Sequence, residues 1–236
     1  MKYKLTILLF HLFVFVCSAG KFKRYKMPLK KRQALHKFER RQLENINKIQ
    51  TFKEKYQIEN NSCFIHIPRT GGYGLRKALK KVGIRVNSWH SIFDQPPLSC
   101  GCFTNIRNPV DRYISEWKFY GMNWLGDKKG LFGWFPANGI PDSFDDYIND
   151  HSTHNSMTKI LSGCQLFSNC DVDHHSVDKI IKRVKTNCLR ILYTEDMPVQ
   201  YHGAIYEHDD TSWKRKAESV NDVDVELYRR LKELIE

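Results

Sequence analysis

The stretch from Cys63 to Leu79, CFIHIPRTGGYGLRKAL, constrains the fold of this chain more than any other. The apolar residues at its start are typical of a short buried strand, and Leu75, Ala78 and Leu79 return at helical spacing at its end. Between the two lies Pro-Arg-Thr-Gly-Gly, which predicts a tight turn. The sequence therefore predicts a strand, a loop that fits around a phosphate group, and a helix.

The start of this helix is a candidate anion site. Unpaired backbone N–H groups and the positive end of the helix dipole favour an anion there. Gly71 and Gly72 allow the backbone to approach the anion closely, while Arg69 and Thr70 add charge and a hydroxyl donor. A plain structural turn has the same pattern, so that interpretation stays open on these residues alone. A nucleotide kinase loop fits poorly, because its Lys-Ser/Thr pair is replaced by Arg-Lys-Ala at residues 76–78.

Composition indicates one folded domain with a polyanionic partner. The chain has 236 residues, 41% of them hydrophobic, which is enough for a sizeable core. A net charge of +12 favours nucleic acid, an anionic membrane surface or an acidic glycan as the partner. Charge alone does not choose among these three.

The N-terminus predicts entry into the secretory pathway. Lys2 and Lys4 precede an apolar run, Leu5 to Cys17, and small residues follow it. Residues 1–20 therefore form either a cleaved signal peptide or a short signal anchor. We expect membrane contact only through this segment, if it is not cleaved. Entry into the secretory pathway argues against nucleic acid as the partner.

The cysteines fit the same compartment. The chain has seven, and six remain when Cys17 in the apolar run is set aside, an even number suited to disulfides in an oxidising lumen. Cys164 and Cys170 close a short polar loop and are the best single pair. Cys100 and Cys102 are too close to favour each other and are expected to bond elsewhere. Zinc is the rival interpretation, but the spacing of common zinc motifs is absent and no metal is expected.

Two further features describe the region before the first strand. Residues 21–59 are highly charged with an apolar stripe, which predicts a basic helical stem whose stripe packs either on the domain or on a copy of itself. Residues 60–236 are predicted to form the folded domain. Asn60 begins an Asn-Asn-Ser sequon, which permits an N-glycan just before the first strand.

Beyond the first helix, the sequence predicts a second strand at Ile84 to Val86, followed by His90. Ligands of α/β sheets bind at the carboxyl ends of strands, so a histidine there is placed for chemistry, although a lone histidine is more often structural. Later segments predict helices at Asn155 to Leu161 and Asp222 to Glu236, and a strand at Leu189 to Tyr193.

A third strand is predicted at Cys102 to Arg107, and a helix opens at Pro109. Arg107 ends the strand, and Ser115 lies about two turns into the helix. Arg112 could reach the same side. The planar fork of arginine suits a phosphate dianion and a serine hydroxyl adds a donor. The bland interpretation is a strand-end charge and a serine on a helix face.

Taken together, PRTGG and RNPVDRYISEW resemble the two cofactor-binding motifs of the Golgi carbohydrate sulfotransferases, most closely the heparan sulfate 6-O type and its 2-O relatives. In that family, a Lys-Thr-Gly-Gly-Thr loop holds the 5′-phosphosulfate of PAPS (3′-phosphoadenosine 5′-phosphosulfate), and R-x-P-x-x-R-x-x-S binds its 3′-phosphate. Weaker similarity extends the resemblance over roughly Cys63 to Glu236. It implies an α/β, P-loop-like sulfotransferase fold, with a central, mostly parallel sheet flanked by helices.

The resemblance also implies roles for individual residues. His90 would be the catalytic base, and Arg69 would stabilise the leaving group. The implied PAPS-binding residues are Arg69, Thr70, Gly71, Gly72, Tyr73, Gly74, Arg107, Ser115 and Lys214. Arg69 stands where the family usually has lysine, while Tyr73 and Gly74 stand where hydroxyl residues often follow. The alternative is therefore a secreted glycan-binding relative that has lost transfer.

Residues 117–135 mix aromatic rings with lysines, a surface that could stack on sugars and neutralise their acidic groups. The candidate acceptor-binding residues are Trp117, Lys118, Trp124 and Lys128, although many of these aromatic rings could equally belong to the core. The resemblance implies sulfuryl transfer from PAPS to a glycan hydroxyl, with a glycosaminoglycan such as heparan sulfate as acceptor. The implied location is the Golgi lumen, as a secreted or single-pass type II membrane protein.

Overall fold

The computed structural model describes residues 29–90, 96–119, 141, 143–197 and 211–235. Four strands lie within these ranges: β1 (Cys63–His66), β2 (Asn87–His90), β3 (Cys102–Ile106) and β4 (Leu189–Tyr193). The helices in the same ranges are α1 (Leu29–Lys55), α2 (Gly72–Lys81), α3 (Pro109–Trp117), α4 (Phe144–Asn149), α5 (Ser156–Leu161), α6 (His174–Lys185), α7 (Thr211–Val220) and α8 (Asp222–Ile235). Short 3₁₀ turns follow α4 and β4, at His151–Thr153 and Thr194–Asp196.

The four strands form one parallel sheet in the order β2-β1-β3-β4. Every residue of β3 is buried, as expected for a strand inside a parallel sheet covered on both faces. Helices flank the sheet, so the predicted α/β class with a central parallel sheet is confirmed at that level. The second strand lies later in the chain than predicted: it begins at Asn87 and not at Ile84.

Alternating side chains divide the core between the two faces of the sheet. On one face, Phe64 and Phe103 pack with Leu75 and Leu79 of α2. On the other, Ile65 belongs to a larger cluster to which α3, α5, α6 and α8 contribute. Core side chains therefore cover both faces of the sheet in the part of the chain that the structure describes.

The chain divides into two compact units, residues 1–43 and 44–236. In the larger unit, Phe52 near the end of α1 is buried against the Phe64 face of the sheet. The final part of the segment predicted as a stem thus packs on the domain. In the smaller unit, Phe38 and Leu43 on α1 are exposed. Within the described ranges, no helix has both the length and the apolar character needed to cross a membrane. The predicted signal segment, residues 1–20, lies outside these ranges.

Three disulfides join the six cysteines of the domain. Cys63 pairs with Cys102, and these residues begin the neighbouring strands β1 and β3. Cys100 pairs with Cys188, the residue before β4. Both bonds lie where the strands begin, at the amino-terminal end of the parallel sheet. Cys164 pairs with Cys170, as predicted. Three disulfides fit an oxidising secretory or extracellular environment.

A hydrogen-bonded cap joins α5 to α8. Asp224 is fully buried, and its carboxylate accepts hydrogen bonds from the backbone N–H groups of Met157 and Thr158, at 3.0 and 2.7 Å. The Thr158 hydroxyl donates to the same carboxylate at 2.7 Å. Burial raises the pKa of Asp224, and the charge of Arg112 opposes this effect. Two segments far apart in sequence are thereby fixed together beneath α3.

The turn before β1 presents the predicted glycosylation site, and we expect Asn60 to carry an N-glycan in protein made through the secretory pathway. Asn60 is exposed, and its Oδ1 accepts a hydrogen bond from the backbone N–H of Arg85 at 2.9 Å. A glycan attaches at Nδ2, so this hydrogen bond can persist. Treatment with peptide N-glycosidase should lower the mass of the protein, and Ser62→Ala should abolish the effect. The matched control, Asn61→Gln, keeps the sequon and should remain glycosylated; an unmodified wild-type chain would contradict the prediction.

Candidate functional site

The crevice between the ends of β1 and β3 is the candidate site. The chain passes from β1 to β2 on one side, and β3 then lies on the other side of β1. In open α/β sheets, ligands bind beyond the carboxyl ends of the strands at such a reversal. The loop at residues 67–72 follows β1, and Arg107 follows β3. Both sequence motifs therefore border the same crevice.

The β1 loop is anchored through Thr70, which is fully buried. Its backbone carbonyl accepts hydrogen bonds from the Asn105 side chain and, at 2.7 Å, from the Thr194 hydroxyl. These contacts fix the loop to the ends of β3 and β4. The Thr70 hydroxyl donates to the carbonyl of Ile67 at 2.7 Å, so its proton serves the loop itself rather than the anion that the sequence predicts.

The loop favours glycine at both positions, at Gly71 because of its backbone conformation and at Gly72 because of a close approach. Gly71 has a φ of 83°, in the left-handed region, and a Cβ there would collide with the methyl group of Met197. A Cβ on Gly72 would collide with the His66 ring and lie 2.9 Å from Phe64 Cζ. The first N–H groups of α2 receive no side-chain cap from Gly71, which suits an anion site at the start of this helix.

Arg69 joins the two motifs. Its Nε donates a hydrogen bond to the Ser115 hydroxyl oxygen at 3.1 Å. Its guanidinium carbon lies 4.4 Å from the centre of the Phe119 ring, just beyond α3. The backbone of Arg69 has a φ of 66°, in the left-handed region that non-glycine residues rarely adopt. The cation of the first motif and the hydroxyl of the second are thus in direct contact.

The two arginines of the second motif differ in their surroundings. Arg107 is half-buried at the end of β3; burial lowers its pKa, and the charges of Asp111 and Glu195 oppose this effect. The guanidinium stays charged at any physiological pH. Arg112 is fully buried and makes a bidentate pair with Glu116, at 2.8 and 3.2 Å. The expectation that Arg112 reaches the ligand side is therefore wrong, because its guanidinium is engaged inside the core.

Two histidines lie side by side in the sheet. His90 is the last residue of β2, and its backbone is in register with that of His66 at the end of β1. Sequence reasoning missed His66, whose ring is buried beneath the first residue of α2, with its centroid 5.7 Å from that of Phe64. The available signal was a polar residue within an otherwise apolar strand.

Two predicted cofactor residues after the loop lie on α2. Tyr73 is exposed, with its ring 4.9 Å from Lys77 Nζ, and Gly74 is buried. Lys214, on α7, is exposed. Its neighbour Trp213 stacks on Phe144, with 4.3 Å between the ring centroids, and so packs α7 against α4.

The predicted acceptor residues divide between the core and the part of the chain outside the described ranges. Trp117 is 4% exposed and packs on Phe144 and Tyr147. Its burial argues against a sugar-stacking role and assigns it to the core. Lys118 is also buried. Trp124 and Lys128 lie outside the described residues.

A metal centre was disfavoured by the sequence. Among residues 29–90, 96–119, 141, 143–197 and 211–235, no group of three or more His, Cys, Asp or Glu residues is arranged to hold a metal ion.

Comparisons of this chain with models of protein families, with curated proteins and with solved structures find no match.

Proposed function

We propose that this chain transfers a sulfuryl group from PAPS to a hydroxyl of an acidic glycan, with a glycosaminoglycan such as heparan sulfate as the acceptor class. The observation that carries the proposal is the contact between Arg69 and Ser115. It brings together two motifs that lie 46 residues apart, in a crevice where α/β sheets bind ligands. The proposal includes a P-loop-like sulfotransferase fold and a location in the Golgi lumen.

The crevice offers groups for both ends of the donor. The N–H groups at the start of α2 suit the 5′-phosphosulfate, and Arg107 with Ser115 suits the 3′-phosphate. Ser115 accepts a hydrogen bond from Arg69 and can still donate its own hydroxyl proton to a phosphate oxygen. A single nucleotide could thus contact both motifs.

The chemistry follows from charge. The acceptor oxygen forms a bond to sulfur as the bond between sulfur and the phosphate oxygen breaks, and the acceptor proton passes to a base. His90 is the proposed base, at the end of the strand beside the loop. Negative charge develops on the departing phosphate, and Arg69 would stabilise it. The net charge of +12 favours an acidic acceptor.

A second function, glycan binding without transfer, is favoured by one observation. At the position where a hydroxyl residue often follows the two glycines, this chain has Tyr73, and its ring is exposed beside Lys77. The short aliphatic hydroxyl donor of that position is thereby replaced by a phenol at the end of a long, exposed side chain. Such a protein would keep the fold and its basic surface while binding PAPS weakly.

Incubation with labelled PAPS and a panel of desulfated heparins, chondroitins and peptides tests both functions. Incorporation of label into a glycan is the result expected of the enzyme, and the pattern across the panel identifies the acceptor class. Heparin binding with no incorporation from any member of the panel would support the binding protein instead. Label found only in peptides would contradict the glycan assignment.

Arg107→Ala is expected to weaken the binding of adenosine 3′,5′-bisphosphate by roughly 10- to 150-fold, because one charge-assisted hydrogen bond is worth about 1.5 to 3 kcal/mol. Isothermal titration calorimetry measures the effect. The matched control is Arg215→Ala, which removes an exposed arginine of α7 and should leave the affinity unchanged. Adenosine 5′-monophosphate should bind wild type and Arg107→Ala equally. An unaltered bisphosphate affinity in Arg107→Ala would refute the 3′-phosphate assignment.

A further inference from the structure

We infer that Ser115 and Phe119 are positioning residues that clamp the guanidinium of Arg69, and that this clamp is the reason why the loop cation is arginine. The clamp itself is a property of the folded chain. Its consequence for turnover rests on the proposed function, in which Arg69 stabilises the leaving phosphate.

The two clamping residues approach Arg69 from one face of one helix. They are four residues apart, and helical dihedral angles continue past the end of α3 through Lys118. Residues at this spacing lie on the same side of a helix, one turn apart. Ser115 is 4% exposed, so packing fixes the position of its hydroxyl. Arg69 thus contacts two side chains that lie one helical turn apart, and one of them is buried.

The two contacts use different parts of the guanidinium. Ser115 takes the Nε–H at 3.1 Å, while the Phe119 ring lies 4.4 Å from the central carbon. A hydrogen bond at Nε and a ring contact at the central carbon together restrict both the position and the tilt of the group. The terminal amino groups then meet an anion in a defined direction.

The backbone of Arg69 also needs such support. Its φ of 66° is costly for a residue with a long side chain, and conformations of this kind persist where the surroundings determine them. Thr70, the residue after Arg69, is fixed by its own hydrogen bonds to Ile67 and Thr194. Arg69 itself is held through its side chain, by the contacts with Ser115 and Phe119.

Lysine could not replace arginine in this arrangement. An ammonium group is a point charge on a flexible stem, with no planar face and no inner N–H group between its charge and its stem. It could not meet the Ser115 oxygen and the Phe119 ring while also directing donors at an anion. We therefore expect Arg69→Lys to lose the clamp and not to act as a conservative change.

Kinetics test the consequence for turnover. Phe119→Leu should lower kcat at least tenfold while changing the affinity for adenosine 3′,5′-bisphosphate less than about threefold, because orientation matters most in the transition state. Phe119→Tyr keeps the aromatic ring and should have a kcat close to that of the wild-type protein. In an Arg69→Lys background, Phe119→Leu should have little further effect, because the two residues act as a unit. The matched control is Tyr56→Leu, which removes a ring that lies 5.0 Å from Lys55 Nζ, before β1. It should leave kcat unchanged.

Nuclear magnetic resonance of ¹⁵N-labelled arginine side chains tests the clamp without any substrate. The Arg69 Nε–H signal is assigned by its loss in Arg69→Lys. It should be shifted by the Phe119 ring current and exchange slowly with solvent. Phe119→Leu should remove the shift, and Ser115→Ala should speed the exchange. An unshifted, rapidly exchanging signal in the wild-type protein would overturn the clamp.

The two measurements separate this inference from the proposed function. A shifted, slowly exchanging Arg69 signal together with no transfer to any acceptor would contradict the proposed transferase function and support the clamp. Measurable transfer with equal kcat in Phe119→Leu and wild type would overturn the positioning role and leave the transferase intact. Circular dichroism of each variant identifies loss of the fold.

Discussion

Replacing His90 by alanine is expected to lower the turnover of sulfuryl transfer by about 10²- to 10⁴-fold, the usual contribution of a general base. The affinity for adenosine 3′,5′-bisphosphate should survive, because a base acts mainly in the transition state and the phosphate contacts lie elsewhere. His90 ends β2, which lies next to β1, the strand that carries the loop, and on the side of β1 opposite to β3, so His90 belongs to neither phosphate motif. Turnover at saturating substrate and calorimetric affinity together measure the effect.

The control for this variant is His175→Ala. His175 is an exposed histidine at the start of α6, far along the chain from both motifs. Its replacement should change neither turnover nor affinity. Full turnover in His90→Ala would remove this histidine from the mechanism, and His66, its neighbour in register, would then be the next candidate.

The fold class could be predicted because its signals are local. The apolar run, paired glycines and helical spacing after Cys63 specify β1 and α2 without reference to the rest of the chain. The strand at Leu189–Tyr193 was predicted with its observed bounds. The second strand was misplaced because Ile84 to Val86 looks like a strand by composition. Ile84 is instead buried in the turn after α2, where its N–H bonds to the carbonyl of Leu79.

The site depends on information that local patterns do not contain. The contact between Arg69 and Ser115 depends on the strand order. In this order β1 lies between β2 and β3, so the loop after β1 is next to the helix that follows β3. The Cys63–Cys102 disulfide depends on the same register. The structural role of Arg112 was missed because sequence spacing gives the face of a helix but not its neighbours. Glu116 lies on the same face, four residues further on, and in the fold this face is buried against Tyr147, whose hydroxyl donates to Glu116.

Glu116→Ala is expected to destabilise the domain by about 3 to 5 kcal/mol, because it leaves the charge of Arg112 buried without its partner. Both residues of this pair have no exposed side-chain surface. The Tyr147 hydroxyl also donates to Glu116, at 2.9 Å, and would lose its acceptor. Burial alone would lower the pKa of Arg112. The negative charges of Glu116 and Asp224 outweigh this effect, so the pKa lies above the usual value for arginine. Urea denaturation followed by circular dichroism measures the loss.

Two variants show whether the missing carboxylate causes the loss. Glu233→Ala breaks an exposed i,i+4 pair with Arg229 and should leave the denaturation midpoint unchanged within error. Arg112→Met with Glu116→Leu replaces the buried pair by apolar groups and should recover much of the stability. Equal midpoints for Glu116→Ala and wild type would show that the pair is dispensable.

The same variant connects stability to the site. Ser115 precedes Glu116 on α3, so a shift of this helix would move the hydroxyl that Arg69 contacts. At temperatures where Glu116→Ala stays folded, we expect weaker binding of adenosine 3′,5′-bisphosphate and faster exchange of the Arg69 Nε–H. The double variant should restore both properties along with the midpoint. Recovery of stability without recovery of binding would mean that Glu116 influences the crevice by a route other than the placement of α3.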